Sequence, residues 1–330
     1  MKNIIYLVSF TIISFIGCSG TVKGDSKQIQ QDKISIIRFD KDVYNYLQQP
    51  DTEKENNLKE KYTELLPAFG QIAMEHNDGT TLFPALRDYF SNPVLLNIYK
   101  DALDKYKDVS SYENELSSVN DIIEDQFTGK KLPLLAMHVS GFRENVIITN
   151  NLISISTDRY LGSEYQAYME FFQPYERQQM QPKYIVRDYL RAWLMSDIIQ
   201  HGSDSENLLT AMVNEGKVLY ALSVLLPNYD INDVIGYTSD QTKWCKDNEK
   251  NVWQTIVKQN YLYSTDHMLI TRLINDAAST SVVSPQSPGR IGAWIGWQIV
   301  NQYAKNKGFL LEDILLMDAQ TILKGAKYNP

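Results

Sequence analysis

The stretch Leu132 to Ser156, LPLLAMHVSGFRENVIITNNLISIS, decides the fold class, because it is where the apolar spacing of the chain changes from a helical period to a period of two. Leu132 to Val139 and Asn145 to Ser156 read as two strands joined by the turn Ser140-Gly-Phe-Arg-Glu144. To the N-terminal side, Asn57 to Phe69, Pro84 to Ser91, Pro93 to Tyr106 and Ser110 to Phe127 carry apolar residues at three- and four-residue spacing. Ile34 to Phe39 has strand-like β-branched content, with Asp40 as the cap of a helix over Lys41 to Leu47. Helices resume at Tyr165 and continue through Lys183 to Gln200, Ser205 to Leu225, Ser239 to Gln259, Asp266 to Asp276, Arg290 to Lys307 and Leu311 to Leu323. The expectation is one α+β domain over residues 34–330, mostly helical with a small mid-chain sheet.

The N-terminus sets the cellular address. In MKNIIYLVSFTIISFIGCSG, Lys2 supplies a short positive region and Ile4 to Ile16 an apolar run too short to span a bilayer. Phe15-Ile16-Gly17-Cys18 resembles the bacterial lipobox, which implies a signal peptide over 1–17 and lipid attachment at Cys18. Residues 18–33 lack apolar periodicity and read as a flexible tether. No second apolar run approaches transmembrane length by this reading, so the body is expected to hang from its lipid.

The formal net charge of −8 arises from interspersed acids and bases without a basic block, which argues against nucleic acid and against a polybasic membrane contact. Neither GxxxxGK[ST] nor GxGxxG occurs, so no nucleotide is expected. Gly289, Gly292 and Gly296 stand at helical spacing and read as points of close backbone approach. His76, His138, His201 and His267 are isolated, no GxSxG elbow is present, and Cys245 is the only cysteine besides Cys18. Residue chemistry alone yields no catalytic residue, metal or cofactor.

Arrangement says more. The strand Asn151 to Ser156, the helix Tyr184 to Trp193 and the helix Leu209 to Ala221 resemble the core of gluzincin-type metallopeptidases, in which a strand runs beside the HExxH helix and a second helix supplies a glutamate ligand. Here the five residues are Arg187-Asp-Tyr-Leu-Arg191, so the zincin-like core lacks the motif. Guanidinium offers no lone pair and repels a cation, and Asp188, at the general-base position, has no metal-bound water to activate. Glu215 stands at the third-ligand position and is expected to pair with Arg187 or Arg191. These four residues are the degenerate metal-site positions that the resemblance implies.

Beyond that core, Ile36 to Asp40, Ile155-Ser-Thr-Asp-Arg-Tyr-Leu-Gly162 and Ser287 to Val300 look like the GldB family, gliding motility-associated lipoproteins of the Bacteroidota. The resemblance implies a lipid-anchored envelope protein on the inner or outer membrane, periplasmic side. Its expected partners are the membrane, through lipidated Cys18, and envelope proteins of the gliding and secretion machinery. The leading reading is a non-catalytic scaffold or binding module, with an extended peptide added along Asn151 to Ser156. Two alternatives stay open. One is a zinc-dependent peptidase with a rearranged site that brings His138 or His201 to Glu215; the other is a surface glycan- or protein-binding lipoprotein using tyrosines and Trp193, Trp253, Trp294 and Trp297.

Overall fold

A computed structural model describes residues 34–76, 79–199, 207–305 and 308–330. The signal peptide, Cys18, the tether and His201 therefore lie outside the described residues.

Six helices come first: α1 (Phe39–Gln48), α2 (Thr52–Lys61), α3 (Leu65–Ile72), α4 (Gly79–Tyr89), α5 (Pro93–Lys105) and α6 (Ser110–Gln126). The starts follow local chemistry: Asp51 caps α2 by accepting from the Lys54 N–H, and Asn92 caps α5 with Pro93 in the first turn. The helix expected from Asn57 to Phe69 is two helices, broken between Lys61 and Leu65. Ile34 to Phe39 contributes a single bridge, Ile37 to Ala136, rather than a strand. Asp40 is not a cap but a buried member of the first turn of α1, clasped by Arg38.

Three strands follow, β1 (Leu134–His138), β2 (Val146–Ile148) and β3 (Leu152–Ser156), in the spatial order β1-β3-β2. The expected strand over Asn145 to Ser156 is thus a β2–β3 hairpin, and β1 runs parallel to β3 instead of forming a hairpin with the next segment. The loop between β1 and β2 has to pass the position that β3 fills. Gly141 and Phe142, both at φ 70°, turn it there. Asp158 holds it by accepting from the backbone N–H groups of Ser140 and Phe142 at 3.3 and 2.7 Å. β3 is therefore central, and the peptide-binding edge expected along Asn151 to Ser156 is covered on both sides by the chain itself.

The sheet divides two apolar clusters. Leu135, Met137, Ile153 and Ile155 join the larger one, with α6 and the helices after the sheet; Ala136, Val139 and Ile147 join the smaller one, with Phe39, Phe69, Phe83 and Phe90. Alternation along the strands accounts for the division.

After the sheet come α7 (Tyr168–Phe171), α8 (Pro174–Gln179), α9 (Ile185–Trp193), α10 (Leu208–Leu225), α11 (Ile231–Ile235), α12 (Ser239–Lys258), α13 (His267–Ile274), α14 (Ile291–Lys305), α15 (Leu311–Leu316) and α16 (Ala319–Ala326). A π-helical turn, Leu194–Ile198, extends α9. By length and composition α10 is apolar enough to cross a membrane, contrary to the reading that no second such run exists; most of it is buried, so it is the central core helix. α10 packs chiefly on α14, and the two backbones meet at Gly216 and Gly296. A Cβ on Gly296 would overlap the Met212 carbonyl oxygen, and one on Gly216 would overlap the Gly296 backbone. Gly289 and Gly292 also approach the backbones of Ala277 and Leu273, where an added Cβ would overlap the Ala277 carbonyl oxygen and lie 2.9 Å from that of Leu273, so the glycines act in packing as expected.

Candidate functional site

α9 buries Ile185, Val186, Tyr189, Leu190 and Trp193 against the core. Its remaining positions, Arg187, Asp188, Arg191 and Ala192, line a cavity of about 450 Å³. Arg187, 6 % exposed, donates to Asp188 Oδ1 at 2.8 Å, to the Asp233 carbonyl at 3.1 Å and to Gln179 Oε1 at 3.2 Å. Its guanidinium stacks 3.8 Å above the Tyr184 ring centre. Asp188 accepts a second bond, from the Tyr160 hydroxyl at 2.8 Å.

Arg191 reaches across to α10. Its Nη2 donates to both carboxylate oxygens of Glu215, at 2.8 and 2.9 Å. Glu215, 8 % exposed, also accepts from Arg290 Nη2 at 3.2 Å. Arg290 directly precedes α14 with φ 61°, donates to the Ile235 carbonyl at 3.3 Å, and lies 3.6 Å from Asp276. The close α10–α14 crossing brings Arg290, at the start of α14, to Glu215. Burial pushes the Glu215 carboxyl upward, but Arg191 and Arg290 outweigh it and hold the group below the usual carboxylate range. It is an ionised carboxylate neutralised by guanidinium groups from two other segments.

Of the two arginines expected to pair with Glu215, Arg191 does so and Arg187 does not; Arg187 keeps to Asp188, Gln179, the Asp233 carbonyl and the Tyr184 ring. Arg290, Tyr160 and Asp276 were missed. Arg290 lies inside the motif Ser287 to Val300, and a charged residue between Gly289 and Gly292 is the signal the sequence offers for it.

The described histidines lie elsewhere. His138 is fully buried on β1, with Nδ1 2.8 Å from Ser154 Oγ and its ring edge-on to Phe69, and burial lowers its pKa to about 3. His267 is exposed in the first turn of α13. Among the described residues no group of three His, Cys, Asp or Glu side chains is placed to hold a metal ion. The residues around Glu215 do not fit zinc, because the groups that meet its carboxylate are the guanidiniums of Arg191 and Arg290, which have no lone pair to offer and repel a cation. Cys245 is buried and its thiol is pushed up to about 12 by burial. Trp193 and Trp294 are core residues, and Trp253 and Trp297 pack partly buried against the same apolar cluster.

The fold and site define a class: a mostly helical α+β body in which a carboxylate of the central helix is clamped by arginines beside a small mixed sheet. The chain belongs to the family described as gliding motility protein GldB, whose match covers residues 20–330, and is thus a gliding motility lipoprotein by family. No match was found among curated proteins or among solved structures.

Proposed function

We propose that this protein is a lipid-anchored cell-envelope component that acts as a non-catalytic scaffold or binding module, built on a peptidase-like core whose metal site has been replaced by ion pairs. The observation that carries the reading is the Arg191–Glu215–Arg290 clamp. The pentapeptide Arg187 to Arg191 sits on a helix beside the sheet, and Glu215 comes from a second helix, the same relation that the gluzincin resemblance implies for ligands and general base. Where a metal would take lone pairs from the glutamate, two arginines take them. Asp188 is engaged by Arg187 and Tyr160, which suits a structural carboxylate better than a base awaiting water.

Anchorage through the Cys18 thiol places the body at a membrane, with proteins of the gliding and secretion machinery as its partners. Two experiments test these parts. A diverse peptide pool incubated with the folded chain, with and without zinc, should be recovered intact by mass spectrometry; zinc-dependent cleavage that Glu215→Gln abolishes would establish a working peptidase instead. A palmitate analogue fed to cells should label the wild type and not Cys18→Ala, and label retained on that variant removes the assigned anchor.

A further inference from the structure

β2 leaves one edge of the sheet unpaired among the described residues. Thr149 N–H bonds to the Leu152 carbonyl and Ser156 N–H to the Asn145 carbonyl, both at 2.8 Å, so residues 145, 147 and 149 turn their backbone groups toward β3. Val146 and Ile148 then direct N–H and C=O outward. Val146 borders the cavity of α9, and Ile148 is 44 % exposed.

The arginines around the cavity are each set against a carboxylate, with one exception among the described residues. Arg187 has Asp188, and Arg191 and Arg290 share Glu215. Glu176 is occupied by the Gln173 N–H at 2.8 Å, and Asp276 faces Arg290. Arg159, which also lines the cavity, has no carboxylate within ion-pair distance among the described residues. It is held in place by stacking 4.5 Å over the Phe172 ring and by donating to the Phe142 carbonyl at 3.1 Å. Among the described residues, its Nε, Arg191 Nη1 and Asn145 Oδ1 are without hydrogen-bond partners.

We propose that this cavity receives an extended peptide that pairs with the outer edge of β2 and sets a carboxylate against Arg159. Strand addition uses the free N–H and C=O groups of Val146 and Ile148, and the guanidinium supplies the charge complement that fixes the peptide's register. This inference rests on the binding-module reading and names its ligand class. The carboxylate is either a free C-terminus or an acidic side chain.

The probes are three N-acetylated hexapeptides of alternating Val and Thr: one with a free C-terminal carboxylate, one amidated, and one amidated with a central Asp. Binding to the folded chain is read by fluorescence anisotropy, together with the amide resonances of Val146 and Ile148. Tighter binding of the first points to a chain terminus, and tighter binding of the third to an acidic side chain. Arg159→Gln should weaken whichever binds by about tenfold or more. Ile148→Pro should abolish binding while Ile148→Ala retains it, because the outward N–H is absent from the ladder and its loss leaves β2–β3 pairing intact. Melting temperatures of the variants report whether each has folded. No binding by any peptide, equal binding of the plain amide, or affinity indifferent to both Arg159→Gln and Ile148→Pro overturns the proposal. Those results leave the non-catalytic reading standing, since that reading falls only on zinc-dependent cleavage.

Discussion

Asp40 and Glu215 are both buried carboxylates paired with arginine, yet they titrate in opposite directions. Asp40 is fully buried, and its one close guanidinium, Arg38 two residues earlier, donates from Nε and Nη2 at 2.9 and 2.7 Å. Burial outweighs that pairing and raises its pKa above the ordinary value of 3.8. Glu215 is clasped by two arginines that lie 24 and 75 residues away, and its pKa falls below 4.5 despite burial. One paired guanidinium, with the weaker pull of Lys41, leaves buried Asp40 short of compensation; two paired guanidiniums overcome desolvation at Glu215. The first pair is a local feature of the start of α1, whereas the second ties α9, α10 and the start of α14 together.

The largest effect that could break this contrast comes from Glu215→Ala, which leaves two guanidinium groups without their shared carboxylate. The expected loss is about 3–5 kcal/mol in chemical denaturation. Wild-type stability would mean that the clamp is incidental.

Next is Gly296→Ala. A methyl group there meets the Met212 carbonyl and forces α14 from α10, for about 3 kcal/mol, at the upper end of what overpacking costs. A neutral result would remove the close crossing as the reason Arg290 reaches Glu215.

The pH dependence sharpens the comparison at smaller scale. Near pH 4.5 folded Glu215 binds fewer protons than the unfolded chain, so its contribution is present above that pH and lost as pH falls through its lowered folded value. Folded Asp40 binds more protons than the unfolded chain just above 3.8, so its contribution is present at lower pH and lost as pH rises through its raised value. Urea midpoints across the acid range should therefore fall less steeply on acidification for Glu215→Gln than for wild type, and more steeply for Asp40→Asn. Matching slopes for the two variants would contradict the opposite shifts.

Smallest is Lys217 on α10, 5 % exposed, whose Nζ donates to the Met317 carbonyl at 2.5 Å and whose pKa burial lowers to about 8. Its folded form binds fewer protons than the unfolded chain above pH 8, so wild-type stability should gain a rising component between pH 8 and about 9.5, below the ordinary tyrosine range. Lys217→Met should lose that component; an unchanged slope would assign it to another group.

Much of the fold was legible, because period and punctuation are local. Pro93 and Asn92 mark α5, and the boundaries of α6 agree with the apolar spacing to within a residue. The sheet was placed in the correct stretch, but its topology was misread: nothing within Val139 to Asn145 reports that β3 will insert beside β1, since that is decided by burial on both faces. At the site, the position of Arg191 against Glu215 followed from two helices and complementary charge. Arg290 did not, because its role depends on a backbone crossing at Gly216 and Gly296, and the sequence displays the glycines without displaying which helix each one meets.

The central claim, that arginines stand where a metal would be held, is tested most directly by elemental mass spectrometry of the purified folded chain, paired with its melting temperature with and without added zinc. No bound metal and an unchanged melting temperature are the expected results. Near-stoichiometric metal with a zinc-dependent rise in melting temperature would contradict them and make Glu215 a ligand.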